Sequence, residues 1–271
     1  MFSSIALGGG GVRGGLHIGA LAAIEQIQGN LRFPDGIYGC SIGSIVATAI
    51  AFELKSTQIR EMFNTYIDLK HSIPDMRLKN ITEFPIKKGL FSMDPLEETI
   101  VKAFRSQNID LVGKKINDAP QKLHIIASNM TTQRVNILQG NIPILDALKC
   151  SCCLPLVFIP QVLHQQVYLD GGLMADSLDK VVPKTCFVIH ISEMASNMKP
   201  ENIDEISLSS YVYQIYRTTR ERPKGDNVLW LQDKTIGVLH DLTPENKQHL
   251  YDQGYLQTTA FLTERLAKEI K

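Results

Sequence analysis

A serine set between glycines, Gly39-Cys40-Ser41-Ile42-Gly43, is the first reactive group to which the chain points. Apolar, β-prone residues lead into Gly39. The small-residue run Ser44-Ile45-Val46-Ala47-Thr48-Ala49-Ile50-Ala51 leaves it, so the stretch reads as buried strand, tight turn and packed helix. This is the nucleophile-elbow pattern. Its glycines permit a turn sharp enough to present the Ser41 hydroxyl to a carbonyl, and the helix N-terminus turns free N–H groups toward developing negative charge. Alone the pattern is weak: at Gly and Ser frequencies of roughly 7 % each, about one chain in ten of this length carries it by chance. Partners decide its meaning.

Two further loops offer them. Gly8-Gly9-Gly10-Gly11 follows the apolar start Ile5-Ala6-Leu7, and such a loop is a pocket of backbone N–H groups with no side chains in the way, suited to a phosphate or an oxyanion. Asp170-Gly171-Gly172 follows Val167-Tyr168-Leu169 and supplies a carboxylate at a strand end. Together they suggest acyl transfer: Ser41 attacks a carbonyl, the glycine-loop amides hold the tetrahedral oxyanion, and Asp170 accepts the serine proton. A carboxylate with its ordinary pKa near 4 is a poor base at neutral pH, so the scheme needs Asp170 withdrawn from water. Two rival readings use some of the same residues. Gly9, Gly11 and Gly14 satisfy the dinucleotide fingerprint, with Asp35 as its acidic residue, but that reading leaves Ser41 and Asp170-Gly171-Gly172 unexplained. His240 completes the order Ser, Asp, His of an α/β-hydrolase triad; against it, an elbow at residue 39 leaves room for only one strand and helix before it.

The elements that must position these loops follow from periodicity. A first strand starts close to Met1, and a helix runs from Leu16 to about Gln28, with Gly15, Gly19 and Ala22 small enough to let it lie against a sheet. The elbow helix reaches about Leu54, and Ser56 caps another amphipathic helix. From His71 to Ser92 no period survives, which predicts a long loop, our candidate for a lid or an interfacial contact. Asp94-Pro95-Leu96-Glu97 opens a helix. Residues 123–128, 135–138, 167–169, 186–191 and 228–231 read as strands, and 144–150, about 206–220 and 243 to near the C-terminus as helices. The apolar run 154–160 is interrupted by Pro155 and Pro160; it is core beneath the site or the wall of an acyl groove. Strands alternating with helices predict an α/β fold with a mostly parallel sheet covered on both faces. Loops at the carboxyl ends of such strands gather at one edge, where Ser41, the glycines and Asp170 can meet.

The 271 residues can bury a large core, and 44 % hydrophobic with 21 % charged residues is ordinary for a globular chain. Twenty-eight basic residues balance 28 acidic ones, so no global field favours nucleic acid. The short patches Lys87-Lys88 and Lys114-Lys115 read as solvated turns. No stretch is long and apolar enough to span a membrane, and the N-terminus lacks a signal peptide's basic region, so the expectation is a cytoplasmic protein. Five cysteines without a disulfide framework, three of them clustered at Cys150, Cys152 and Cys153, read as buried free thiols rather than a metal site.

Over roughly residues 3–192 the chain resembles the patatin-like phospholipases. The Gly8–Gly14 loop, Gly39-Cys40-Ser41-Ile42-Gly43 and Asp170-Gly171-Gly172 look like that family's three signatures in their order. Cys153-Leu154-Pro155-Leu156-Val157-Phe158-Ile159-Pro160 is similar to the family stretch before its Asp-Gly-Gly. The resemblance implies a single three-layer α/β/α domain over 1–271, its motif-bearing core at about 3–192 and a helical part at about 200–271. It implies a Ser–Asp dyad of Ser41 and Asp170 without a catalytic histidine, an oxyanion hole of Gly9, Gly10 and Gly11, and support from Gly39, Gly43, Gly171 and Gly172. Arg13 is read as a brace for the glycine loop, with contact to a lipid phosphate as the alternative. The implied activity is calcium-independent hydrolysis of phospholipid or lysophospholipid esters, with neither cofactor nor metal and with peripheral contact to membranes. The chain departs from the family at Asp176 and Leu178, where relatives carry Asn and Pro, and in the thiols that replace small residues before Pro155. A catalytically silent scaffold on the same fold is the competing reading. Oligomeric state has no signature in the sequence.

Overall fold

The computed structural model describes residues 2–66, 77–175, 177–192, 200–206, 225–236 and 242–269. In chain order its strands are β1 (Ser4–Leu7), β2 (Gly36–Cys40), β3 (Gly89–Phe91), β4 (Leu123–Asn129), β5 (Arg134–Leu138), β6 (Leu156–Phe158), β7 (Gln161–Leu163), β8 (Gln166–Asp170), β9 (Phe187–Ile191) and β10 (Val228–Leu231). The α-helices are α1 (Gly15–Gln28), α2 (Ile42–Ala51), α3 (Ser56–Tyr66), α4 (Leu78–Lys87), α5 (Asp94–Arg105), α6 (Ile144–Cys152) and α7 (Pro244–Glu269).

The main sheet has the order β10-β9-β1-β2-β4-β8-β7, with β5 paired to β4 off that path. The five strands from β10 to β4 run parallel, as the alternation of strands and helices requires. The antiparallel wing of β5, β7 and β8 is legible only in part. β7 and β8 form a hairpin whose two turn residues, His164 and Gln165, both take positive φ, at 49° and 63°. That is the backbone of a type I′ turn, which sequence normally announces with Asn-Gly. His-Gln gives no such signal.

Strand alternation divides the core between the two faces. Ile5, Leu7, Ile37, Ile125, Ala127, Phe187 and Ile189 point to the larger core, shared with α1, α2, α3, α5, α6 and α7. Ala6, Tyr38, Cys40, Ile126 and Val188 point the other way, onto Ala175, Leu178, Val182 and Cys186. The result is a three-layer α/β/α fold. Leu178 is 1 % exposed within this second layer.

Four expectations need correction. The segment 71–92 is not a loop throughout: α4 and β3 occupy 78–91, and β3 pairs in parallel with β6 in a separate two-stranded sheet. Pro85 lies inside α4, which is why the proline pattern suggested a break. The run 154–160 divides, with Phe158 in the core and Leu156 facing outward at 39 % exposure. Ser56 is the first residue of α3 rather than a cap; its N–H and hydroxyl both donate to the Glu25 carboxylate. Finally, Gly15 and Gly19 of α1 face α7 and not the sheet. The predicted helix at 206–220, Asp176 and His240 lie outside the described residues. Among the described residues no helix is long and apolar enough to cross a membrane.

The α1–α7 contact is a backbone-to-backbone fit. A Cβ on Gly19 would lie 2.0 Å from Tyr251 O, and one on Gly254 would lie 2.1 Å from Leu16 O. Neither carbonyl can yield without moving its helix. Gly19→Ala is therefore expected to destabilise the fold by about 3 kcal/mol through overpacking. Urea unfolding checks this, with Gly225→Ala as a control whose added methyl makes only an ordinary 3.4 Å contact with Val228 Cγ2.

Candidate active site

Along one edge of β4 two strands meet head to head. β2 runs parallel to the first half of β4 and ends with Cys40 opposite Ile126. β8 runs antiparallel to the second half and ends with Asp170 opposite Ala127. β5 occupies the other edge over residues 125–129, so β2 and β8 share the remaining one. Cys40 and Asp170 thus sit at adjacent levels of β4, about 3.4 Å apart along the strand, and Ser41 leaves the sheet where β8 arrives. The junction is close-packed. A Cβ on Gly171 would lie 2.2 Å from Ile126 O and 2.9 Å from Cys40 Sγ. Ser41 and Asp170 are 8 % and 4 % exposed.

Ser41 has φ 54° and ψ −131°, a region that strains any residue with a side chain by about 1–3 kcal/mol. Its surroundings hold it there. The Ser41 N–H donates to Ser151 Oγ at 2.9 Å, and the Ser151 hydroxyl donates onward to Ile126 O at 2.6 Å. The Ser44 N–H and hydroxyl both donate to Ser41 O, at 2.8 and 2.6 Å. The two elbow glycines are required by contact: a Cβ on Gly39 would lie 2.4 Å from Ser44 Cα, and one on Gly43 2.3 Å from Leu7 O. Gly43 therefore seats the start of α2 directly on the end of β1.

That contact brings the glycine loop to the serine. A Cβ on Gly9 would fall 3.3 Å from Ser41 Cβ and 3.9 Å from its hydroxyl oxygen. The loop is held from behind by its carbonyls. His17 Nε2–H donates to Gly8 O at 2.8 Å, while the Arg13 N–H and Nε–H donate to Gly10 O at 3.2 and 3.4 Å. Arg13 also donates to Ser192 O at 2.9 Å, tying the loop to the end of β9. Among the described residues the amides of Gly9 and Gly10 donate to no carbonyl. Gly11 takes the left-handed φ of 57° that turns the chain into α1. At 1 % exposure Arg13 has no access to a lipid headgroup, so of its two readings the brace fits and the phosphate contact does not.

On the far side, Asp170 Oδ1 accepts from the Gly172 N–H at 2.8 Å, and the Asp170 N–H donates to Cys153 O at 2.7 Å. The thiol cluster borders both groups: Cys152 Sγ lies 3.7 Å from Ser44 Oγ, and Cys153 supplies the carbonyl that accepts from the Asp170 N–H. Burial first, then the negative charge of Asp170, pushes the Cys152 and Cys153 thiols well above the usual range, and burial carries Cys150 up to about 12. Such thiols stay protonated and inert. All five cysteines are free and buried.

Gly9 adjoins Ser41, and Asp170 ends its strand one level of β4 from Cys40; the residue of the competing dinucleotide reading lies elsewhere. Asp35, the acidic residue of the dinucleotide reading, is exposed at the start of β2, where Gly36 pairs with Ser4 at the beginning of β1. It lies at the opposite end of the strands from the glycine loop, whereas the fingerprint needs it at the carboxyl end. Sequence reasoning overlooked Ser44 and Ser151. Ser44 carries a faint signal in its three-residue spacing from Ser41; Ser151 carries none, because only folding brings α6 to the elbow. His17 of α1 also braces the glycine loop.

Burial lowers the His17 pKa from 6.5 to about 4, and its bond to a carbonyl fixes the neutral Nε2–H form. Because the folded value lies below the unfolded one, the unfolded chain binds the extra proton first. Stability is fully present above about pH 6.5 and falls as the pH drops toward 4, by about 3 kcal/mol in total. His17→Gln, which keeps a donor for Gly8 O but does not titrate, is expected to flatten that loss. Urea unfolding of both proteins at pH 7 and pH 4.5 measures it.

Known proteins similar to this chain agree with the geometry. The family model described as patatin-like phospholipase matches residues 5–178. An uncharacterized protein of Acanthamoeba polyphaga mimivirus is 27 % identical over 93 % of this chain and 90 % of its own length. A cGAMP-activated phospholipase of Vibrio cholerae is 27 % identical over 64 % of this chain, which spans 54 % of that protein; one from Escherichia coli is 26 % identical over 94 %, spanning 75 %. VipD from Legionella pneumophila shares the fold with a TM-score of 0.58 at 14 % identity, covering 97 % of this chain and 67 % of its own. The type III effector ExoU of Pseudomonas aeruginosa does so at 0.53 and 15 %, covering 97 % and 53 %. With the elbow, the glycine loop and the Asp-Gly-Gly turn assembled at one sheet edge, and a family match across most of the chain, this protein belongs to the patatin-like phospholipases.

Proposed function

We propose that the protein hydrolyses carboxylic esters of phospholipids or lysophospholipids through an acyl-Ser41 intermediate. In acylation the Ser41 oxygen bonds to the ester carbonyl carbon while Asp170 takes the hydroxyl proton. The resulting oxyanion is held by amides of the Gly9–Gly11 loop and by the N-terminus of α2. Collapse breaks the bond to the alcohol oxygen, which leaves with the proton from Asp170. Water, deprotonated by the same carboxylate, then attacks the acyl carbonyl, and the fatty acid leaves as the Ser41 oxygen takes the proton back from Asp170. No histidine is needed in this cycle.

The observation that supports the reading is the head-on approach of β2 and β8 along β4, which sets a buried serine and a buried carboxylate at adjacent levels of the sheet, with a Cβ on Gly9 falling 3.9 Å from the Ser41 hydroxyl oxygen. Asp170 is 4 % exposed, and its Oδ1 accepts from the Gly172 N–H at 2.8 Å, which orients the carboxylate. The preorganised elbow and the braced loop reduce rearrangement at the moment of attack. Relatives bearing the name phospholipase support the lipid ester as substrate.

Ester turnover by wild type, Ser41→Ala and Asp170→Asn on a short-chain ester and on phospholipid is the test. Both variants are expected to fold and to lose at least about a hundredfold in rate, as loss of a nucleophile or its base would bring. A fluorophosphonate is expected to label wild type at Ser41 and to leave Ser41→Ala unlabelled. Absence of both turnover and labelling in the wild type would identify a silent scaffold instead.

A further inference from the structure

Helix α4 is mounted inside out. None of its ten residues is buried. At 100° per residue, Leu78, Ile81, Thr82, Pro85 and Ile86 form one stripe, and its large aliphatic members are 82 %, 55 % and 82 % exposed for Leu78, Ile81 and Ile86. The side turned to the protein carries Asn80, whose Nδ2 donates to Leu90 O at 2.7 Å, and the half-buried Phe84. A surface helix of a globular protein does the reverse, turning its apolar stripe to the core. Leu156, opposite Gly89 across the β3–β6 pair, extends the apolar surface beyond the end of the helix.

Cations frame the stripe. Arg77 stands at its start, Lys79 and Lys87 along its flank, and Lys88 at its end, against the single carboxylate Glu83. Glu83 is shared by Lys79 at 3.6 Å and Lys87 at 2.6 Å, so the segment keeps a net positive charge although the whole chain is neutral. The Lys87-Lys88 pair, a solvated turn in the sequence reading, is thus one end of a basic frame around exposed aliphatics. An apolar stripe flanked by Lys and Arg is the make-up of a helix that lies in the interface of an anionic bilayer.

The segment is also tied to the catalytic end of the sheet. β3 follows α4 after one residue and pairs with β6, and the Ile159 N–H donates to Phe91 O at 2.9 Å. Leu156 lies three residues, at most about 10 Å, after Cys153, the residue whose carbonyl accepts from the Asp170 N–H. From these observations we propose that the outward face of α4, continued by Leu156, is the surface by which this protein docks on an anionic lipid membrane. The proposal rests on the lipid-ester reading above and deepens it: docking brings substrate lipid to the wall of the Ser41–Asp170 site.

The test is co-sedimentation of the full chain, carrying Ser41→Ala so that no lipid is consumed, with vesicles of phosphatidylcholine alone or with phosphatidylserine added. Binding to the anionic vesicles is expected, falling as salt is raised. Leu78→Ser/Ile86→Ser is expected to weaken it at least tenfold, and Lys87→Glu/Lys88→Glu to abolish the preference for phosphatidylserine. Turnover of a soluble short-chain ester by the same substitutions on the active chain is expected to stay within twofold of wild type. That arm reads the hydrolase independently, so its failure is distinct from failure of docking. Wild-type-like vesicle binding by both variants, no binding by the parent, or a stripe substitution that instead dissociates a dimer in sedimentation velocity would overturn the assignment.

Discussion

Everything at this site depends on how one edge of β4 is shared. A parallel strand, β2, uses its first half, and an antiparallel strand, β8, uses the second, so two chain ends approach each other where a continuous strand would ordinarily lie. Backbone hydrogen bonding makes this arrangement stable, since each half of β4 finds its partners without a gap in the ladder. The junction leaves no room for side chains between the strands, and Gly171 meets that demand against Ile126 O and Cys40 Sγ. Ser41 follows the end of β2 and Asp170 ends β8, so the two residues stand at adjacent levels of β4.

A junction of this kind must keep a strained residue in place. The elbow holds Ser41 at positive φ because its N–H and C=O are both claimed, by Ser151 and by Ser44. The glycine loop is held by the same logic applied to its carbonyls, through His17 and Arg13. Both are polar residues in the core, where an unsatisfied group is expensive and a satisfied one is rigid. His17 meets that condition by remaining neutral. The frame thus spends its buried polar groups on orientation, and the proposed chemistry falls to the few atoms left over.

The periphery follows a different rule. α7 is fixed on α1 by backbone contact at Gly19 and Gly254, which makes the C-terminal helix part of the same core as the motif-bearing strands. α4 contributes nothing buried and is attached through β3 to β6, whose chain leads back to Cys153 and so to Asp170. The core carries the candidate reacting groups, while α4 leaves Leu78, Ile81 and Ile86 exposed.

Much of this was legible in the residues. The parallel core of the sheet, the elbow, the glycine loop and the Asp-Gly-Gly turn are local patterns, since tight turns and buried strands impose residue types at fixed spacing. The division of β1, β2, β4 and β9 side chains between the two faces of the core comes from the fold. What the sequence left open involves partners far apart in the chain. The β7–β8 hairpin turns on His164-Gln165, which carry no turn signature, and α4 forms across a proline and turns its apolar side outward against the usual periodic rule. Ser151 reaches the Ser41 amide only because α6 packs beside α2. Residue type and spacing determined which groups are able to react, because those constraints act within a few residues. Tertiary structure decided that they meet, because strand pairing along β4 is a long-range choice that no local stretch encodes.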